Sequence, residues 1–375
     1  MSEAEYGFVF PKIDVAKCID CGLCDRICPE IAMPALSMPR AVYAGCCNDK
    51  AELASCASGG AATVMSRDVI RRGGVVYGCS QKDYRTIRHI GVEREEDLSL
   101  LKGSKYVQSD MSGIYQSVKD DLSGGREVLF VGTPCQVAAL YGYLRRPYDN
   151  LTTIDLICHG VPSQAMLRET VESAMKQCDA LADDIFVNFR WKTQYGIQFG
   201  IQFGNNNRIW KSVPAGNSAY MMAFLSGLSY RENCHRCRYS CRERAGDITI
   251  GDFWGLGQQT PSAIDPSQGV SLVLVNTSRG EAMWQAVRDK FVFEGRTIDE
   301  AVKYNWNLHD PSPRPTVKDK FLGIYSVQGM DAAVRVCNSR YCMEQTAVVR
   351  FIRQTPLLNK ALGRVMRVVK KCLIK

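Results

Sequence analysis

The chain has 375 residues, 46% hydrophobic and 23% charged, a balance that excludes a disordered or membrane-embedded class. No apolar run approaches the ~20 residues needed to cross a bilayer, and the acidic start, with Glu3 and Glu5, lacks a secretory core, so a cytoplasmic location is expected. Of the formal net charge of +8, the eight basic residues and one acid of residues 342–375 supply all but one unit, which leaves no electrostatic case for nucleic-acid binding by the body.

Taken in chain order, Tyr6–Ile13 alternates like a strand and leads into a dense cysteine run. Ser58-Gly59-Gly60 opens an apolar helix, and Gly73–Gly78, Glu127–Val131 and Thr153–Ile157 read as short buried strands of a mostly parallel sheet, with helices between them. A helix follows Pro162 to about Asp179. The pattern then becomes alternating over Ile185–Lys192, Ile197–Phe203 and Arg208–Trp210, with Asn205-Asn206-Asn207 turning an antiparallel hairpin. Asp247–Gly251 and Val270–Val275 are further strands, and Pro311, Pro313 and Pro315 mark a linker before a helical, basic tail.

Seventeen cysteines in a reducing compartment point to metal or redox chemistry rather than disulfides. Isolated Cys79, Cys178, Cys337, Cys342 and Cys372 read as small buried hydrophobes. Cys18, Cys21, Cys24 and Cys28, followed by Pro29, instead form the C-x2-C-x2-C-x3-C-P pattern of bacterial ferredoxins. Thiolates at these intervals let one loop wrap three corners of a 4Fe–4S cubane, whereas zinc sites usually pair two separated C-x2-C knuckles. Only one complete copy of the motif is present. The fourth ligand is therefore either Cys28, the preferred reading, or one of Cys46, Cys47 and Cys56.

A second constellation combines Cys234, Cys237 and Cys241 with two cysteines at strand ends, Cys135 and Cys158. The C-terminal ends of strands are where ligands collect in open α/β sheets, so thiolates gathered there could hold a second cluster. These segments, together with Ser58–Gly60, Gly73–Gly78, Lys102–Ser109, Gly132–Gln136, Asp155–Pro162 and Asp247–Gly255, resemble the beta-subunit family of coenzyme F-420 hydrogenases and dehydrogenases from Gly7 to about Pro311.

The resemblance implies an FAD-binding oxidoreductase with an internal 4Fe–4S cluster beside the flavin. By position that cluster would use Cys158, Cys234 and Cys237, with Cys135 as the preferred fourth ligand and Cys241 as its competitor. The flavin would sit near Ser58, Gly59 and Gly60, near Gly103, Ser104, Lys105, Tyr106 and Gln108, and near Gly132, Thr133 and Pro134. Lys105 is read as stabilising negative charge on reduced flavin or pyrophosphate, and His159 as a proton donor to substrate or as a structural histidine. Trp254 is read with equal weight as a core aromatic or a flavin-stacking group.

The expected fold is mixed α+β and α/β. It comprises a partial ferredoxin-type module (1–40), an α/β domain (41–160), an antiparallel β-rich domain (161–310), and a linker with a basic helical tail (311–375). Ferredoxin or another redox protein is the expected electron partner of this iron–sulfur flavoprotein, with coenzyme F-420 one option for the unidentified substrate. The alternative is an electron-transfer subunit without its own substrate, in a setting such as polysaccharide biosynthesis. Leu358, Leu362, Val365, Val369 and Leu373 share one helical face and Lys360, Arg364, Arg367 and Lys371 another. Such a helix suits either the inner face of an anionic membrane or packing on the body.

Overall fold

The structure is a computed structural model, and it describes residues 2–338 apart from 4, 82, 179–184 and 206–207. The basic amphipathic helix expected over 357–375 lies outside the described residues. At the N-terminus β1 (Ser2–Glu3) pairs antiparallel with β2 (Val9–Phe10). The longer strand expected over Tyr6–Ile13 does not form: Glu5–Gly7 is a 3-10 turn with Tyr6 at φ 60°, and Pro11 has no amide hydrogen to extend the ladder. Helix α1 (Leu23–Ile27) then carries the chain to Cys28.

The body opens with β3 (Ala41–Cys47), α2 (Lys50–Ser55), α3 (Ala61–Arg71), β4 (Val75–Gln81) and β5 (Ile87–Val92). It continues through α4 (Ile114–Ser123), β6 (Val128–Gly132), α5 (Pro134–Leu144), β7 (Leu151–Leu156) and α6 (Gln164–Cys178). Then come β8 (Phe186–Thr193), β9 (Gly196–Asn205), β10 (Arg208–Pro214) and α7 (Ala219–Leu225). The remainder is β11 (Ile248–Asp252), β12 (Ser271–Val275), α8 (Ser278–Val287), β13 (Phe291–Arg296), α9 (Ile298–Tyr304) and α10 (Lys318–Cys337). Helix α10 is interrupted at Gly329, whose φ is 81°.

Eight strands make one mixed sheet in the order β13-β3-β12-β11-β7-β6-β4-β5. Its centre, β11-β7-β6-β4, is parallel, as the runs of buried Val, Leu and Ile there lead one to expect. Both flanks are antiparallel. One face packs Val64, Met65, Val69 and Ile70 of α3 with Met283, Trp284 and Val287 of α8; the other packs α4 and α5 around Phe130. A second sheet, β10-β9-β8, is wholly antiparallel and shares a core with α6, α7 and α10, where Phe189, Tyr220 and Phe321 are fully buried. The observed class is therefore mixed α/β with a separate antiparallel sheet, as the sequence pattern led us to expect.

Candidate functional site

Strands β6, β7 and β11 are parallel, so their C-terminal ends open on one edge of the sheet, the edge where ligands bind in open α/β folds. At the end of β6, Thr133 and Gln136 form a capping box that starts α5 with Pro134 in its first turn, and this fixes Cys135 at a helix N-terminus. At the end of β7 the chain leaves the sheet through Ile157, Cys158 and His159. The loop between α7 and β11 brings Cys234 and Cys237.

That loop is pinned to β7 by a buried ion pair. Arg244 donates to Asp155 Oδ1 at 3.1 Å and also to Thr249 Oγ1, Tyr239 O, Cys241 O and Leu156 O. Asp155 Oδ2 accepts from the backbone amides of Ala245 and Gly246. All five guanidinium bonds and both carboxylate oxygens are thus committed to holding the end of the Cys234–Gly246 segment against β7 and β11.

The four thiols interact. Desolvation raises Cys158 well above the usual thiol range, and the charges of Cys234, Cys135 and Cys237 raise it further. Cys234 is pushed up to about 12, mainly by desolvation and then by Cys135 and Cys237, against a lowering backbone contact at Val161. Desolvation also raises Cys135, countered by the Thr133 hydroxyl 3.2 Å away, with Cys237 adding to the rise. Thiolates crowded together out of water repel one another, and the condition is relieved when a bound cation supplies the countercharge.

The donor set is four thiols, which suit soft, thiophilic metals. Among the described residues no three His, Cys, Asp or Glu side chains are gathered tightly enough for a metal ion. Four sulfurs at about 2.3 Å from one zinc would have to meet at close range. A cubane takes one thiolate at each of its four corners. Arg231 adds a second fitting feature: its Nε is buried without a partner, and its charge acts on both Cys135 and Cys234. Phe10 lies beneath the same guanidinium, 4.1 Å from its carbon to the ring centroid. An unpaired buried donor whose charge reaches Cys135 and Cys234 fits an anionic cluster. Nothing in the sequence singled Arg231 out.

Cys241 stands apart from this group. Its Sγ contacts the carbonyls of Arg238 and Glu243, and of the other cysteines only Cys237 acts on it.

In the N-terminal motif Cys18, Cys21 and Cys24 are exposed and Cys28 is half-buried. Asp20 at φ 53° and Gly22 at φ 64° fold the run into a tight loop, and Arg26 closes it on Cys21 O at 2.7 Å. A Cβ at residue 22 would meet only the end of the Arg26 side chain, at 3.8 Å, so the positive φ alone calls for glycine there. The C-terminal end of the motif rests on the body: Tyr239 donates to Pro29 O at 2.7 Å and Arg238 to Glu30 O at 3.2 Å. The charge of Glu30 reaches Cys135. The alternative ligands are placed elsewhere. Cys46 and Cys47 lie on β3, Cys56 follows α2, and the charged groups acting on them are Lys192, Asp265, Asp49, Glu52, Arg67 and Lys102.

The residues associated with a flavin divide into two groups. Gly59 is fixed by packing, since a Cβ there would lie 2.4 Å from both Gly45 O and Ser271 N; Gly60 faces Cys47, and Ser58 donates to Val270 O. Gly132 is hemmed by Phe130 and Gln136, while both ends of the Gln108 amide bond to Val9 and hold the N-terminal ribbon. Thr133 and Pro134 serve the α5 cap. The loop from Gly103 to Tyr106 is more open. Gly103 is exposed at φ 82°, where an added Cβ would meet open space, and half-buried Lys105 donates to Leu101 O and Lys102 O at 2.8 and 2.7 Å. Desolvation lowers the Lys105 ammonium to about 8. Tyr106 stacks on Phe224, with ring centroids 4.5 Å apart.

His159 is exposed, yet desolvation by the surrounding protein lowers it, and Asp252 is the charge that opposes this. Asp252, at the end of β11, holds Arg190 of β8 in a two-pronged ion pair of 2.7 and 2.9 Å that ties the small sheet to the large one. Trp254 is 39% exposed, with Phe199 its aromatic neighbour at 5.9 Å, so it is not a core residue.

Among known proteins, the family model for the C-terminal part of the beta subunit of coenzyme F420 hydrogenase/dehydrogenase matches residues 125–301. No curated protein matches the chain. A solved structure described as a xenon derivatization of the F420-reducing NiFe hydrogenase complex from Methanosarcina barkeri aligns at 19% identity and a TM-score of 0.46, covering 81% of this chain and 92% of that one.

Proposed function

We propose that this chain, whose residues 125–301 match the model for the C-terminal part of the coenzyme F420 hydrogenase/dehydrogenase beta subunit, is an iron–sulfur flavoprotein oxidoreductase of that family. The observation that carries the reading is geometric: Cys135 and Cys158 follow the ends of the adjacent parallel strands β6 and β7, and the loop bearing Cys234 and Cys237 is pinned to β7 by the buried Arg244–Asp155 pair. These four thiols are the proposed ligands of one 4Fe–4S cluster, and Cys18, Cys21, Cys24 and Cys28 those of another. When bound, the clusters would pass single electrons and FAD would pair them into a hydride equivalent.

The chain's own residues organise this. Tyr239 and Arg238 dock the Cys28–Glu30 turn against the loop that carries Cys237. The Thr133 hydroxyl and the Arg231 charge favour ionised sulfur at Cys135. Gly103, Ser104 and Lys105 are the proposed flavin contacts, with the Lys105 ammonium directed to an anionic part of the cofactor. His159, exposed next to Cys158, is the proposed proton carrier to a substrate, and desolvation favours its neutral form, ready to release the proton. That substrate is a small organic acceptor or a deazaflavin such as coenzyme F420, and the electron partner is a ferredoxin-like protein meeting the exposed Cys18–Cys24 loop.

Anaerobic purification with iron, sulfide and flavin counts tests the reading. About eight irons and one flavin per chain, falling to about four irons in Cys234→Ser, is the expected result, given four irons per cubane. A colourless protein containing zinc would refute it. Turnover of a reduced viologen dye with candidate acceptors, in the absence of partners, separates an enzyme from an electron-transfer subunit.

A further inference from the structure

Lys318 is buried to 1% exposure at the start of α10, beyond residue 301 where the family match ends. Its Nζ donates to Tyr230 O at 2.5 Å and to His235 Nε2 at 2.7 Å, and lies 3.3 Å from Glu232 Oε2. Three acceptors match the three hydrogens of an ammonium group. On the other side of the ring, His235 Nδ1 meets the carbonyl of Ser312 at 3.1 Å, so that nitrogen carries the hydrogen and Nε2 offers its lone pair to Lys318. His235 follows Cys234 directly, and the charges of Lys318 and Cys234 act on each other. Tyr230, stacked on the His235 ring, is in turn within reach of the Cys158 and Cys234 charges.

A lysine needed only for packing would be better replaced by an apolar side chain, because desolvating an ammonium is costly. Here the ammonium is directed at the loop of two proposed ligands; desolvation lowers it, and the half-exposed Glu232, which also pairs with Arg314 at 2.6 Å, favours its charged form. Net charge and hydrogen bonding around the sulfurs are what set an iron–sulfur potential.

We propose that Lys318, acting through His235, raises the reduction potential of the cluster held by Cys135, Cys158, Cys234 and Cys237, with Glu232 as its counterweight, so that electrons arriving at the N-terminal motif run inward. This rests on the iron–sulfur reading given above. The equilibrium concerned is one electron leaving the N-terminal site and one arriving at the internal site, with no bond made or broken and no proton moved. Lys318 is a positioning residue for charge and touches no reacting atom.

The test is an anaerobic redox titration followed by electron paramagnetic resonance on the full chain, resolving the two cluster signals. Lys318→Met makes the internal cluster about tenfold harder to reduce at fixed potential, a shift of ~59 mV for one electron. Glu232→Gln shifts it the opposite way, the double variant returns near wild type, and the N-terminal signal stays fixed throughout. An unmoved internal potential, or shifts of the same sign in both single variants, overturns the proposal. Should Lys318→Met fail to fold or lose iron, Glu232→Gln decides alone: a raised potential supports the proposal and an unchanged one ends it. Absence of any second cluster signal in the wild-type protein would instead refute the iron–sulfur reading itself.

Discussion

Replacing Arg244 by methionine tests how the internal cysteine loop is held. The guanidinium is 1% exposed and its partner Asp155 is fully buried, so neither can turn to water when the other is lost. In Arg244→Met the carboxylate keeps the amides of Ala245 and Gly246 but loses its cation, and the carbonyls of Tyr239, Cys241 and Leu156 lose their donor. Breaking a buried pair from one side costs about 3–5 kcal/mol, and the three orphaned carbonyls place this case at the upper end. Urea unfolding of the anaerobic, iron-free protein measures the loss without interference from metal. Iron content after reconstitution should fall as well, because Cys234 and Cys237 ride on the loosened segment. A double variant with Asp155→Asn should cost at least about 1 kcal/mol less than the two single losses combined, the mark of direct coupling. A loss below about 1 kcal/mol in Arg244→Met would show that the loop is anchored by other means.

Cys135→Ser should remove the iron of the internal cluster, whereas Cys241→Ser, on a thiol turned toward backbone carbonyls, should leave iron content unchanged. Equal iron loss in both would reverse the ligand assignment. His89, buried with a stacked Phe130 and lowered by desolvation to about 4, is neutral in the folded chain, so its contribution is complete above pH 6.5 and fades as pH falls toward 4. Over that window about 3 kcal/mol is lost, and chemical denaturation of His89→Phe should show a shallower acid slope. Lys105 behaves in the same sense at higher pH: with its ordinary 10.5 lowered to about 8, stability rises between pH 8 and 10.5. The gain is no more than about 3 kcal/mol after allowance for partial exposure, and Lys105→Met should abolish the rise.

Much of the fold was legible because its central strands are continuous apolar runs. Val75–Tyr77, Val128–Val131 and Leu272–Val275 could hardly be anything but buried strands, and the alternation of β8 and β9 marked the second sheet. Strand β3 was not legible. Ala41–Cys47 mixes small residues, a glycine and two cysteines, and its partners β12 and β13 are distant in sequence. β5, Ile87–Val92, was hidden by the exposed Arg88 and the buried His89. The alternation of Tyr6–Ile13 misled because Pro11 and the turn at Tyr6 outweigh side-chain pattern.

At the site, the strand-end rule drew attention to Cys135 and Cys158, and the family resemblance joined them to Cys234 and Cys237. The polar support of that group was not legible. Arg231, Arg244 with Asp155, and Lys318 with His235 are pairings made by tertiary packing, and no local spacing announces them. Asp252 lay inside a segment used for recognition, but its partner Arg190 comes from another sheet.

The place of β3 has a consequence for how the protein is made. It lies between β12 and β13, which do not pair with each other. Its partners begin 224 and 244 residues after it ends (Cys47 to Ser271 and to Phe291), which at roughly 5–20 residues per second is on the order of 10–50 s of translation. Throughout that interval both edges of a short apolar strand bearing Cys46 and Cys47 stay unpaired on the ribosome-bound chain. Such an edge invites association with other chains. Slow translation or scarce chaperone should therefore limit the yield of this protein before iron supply does, and the final strands close the sheet only when β13 has emerged.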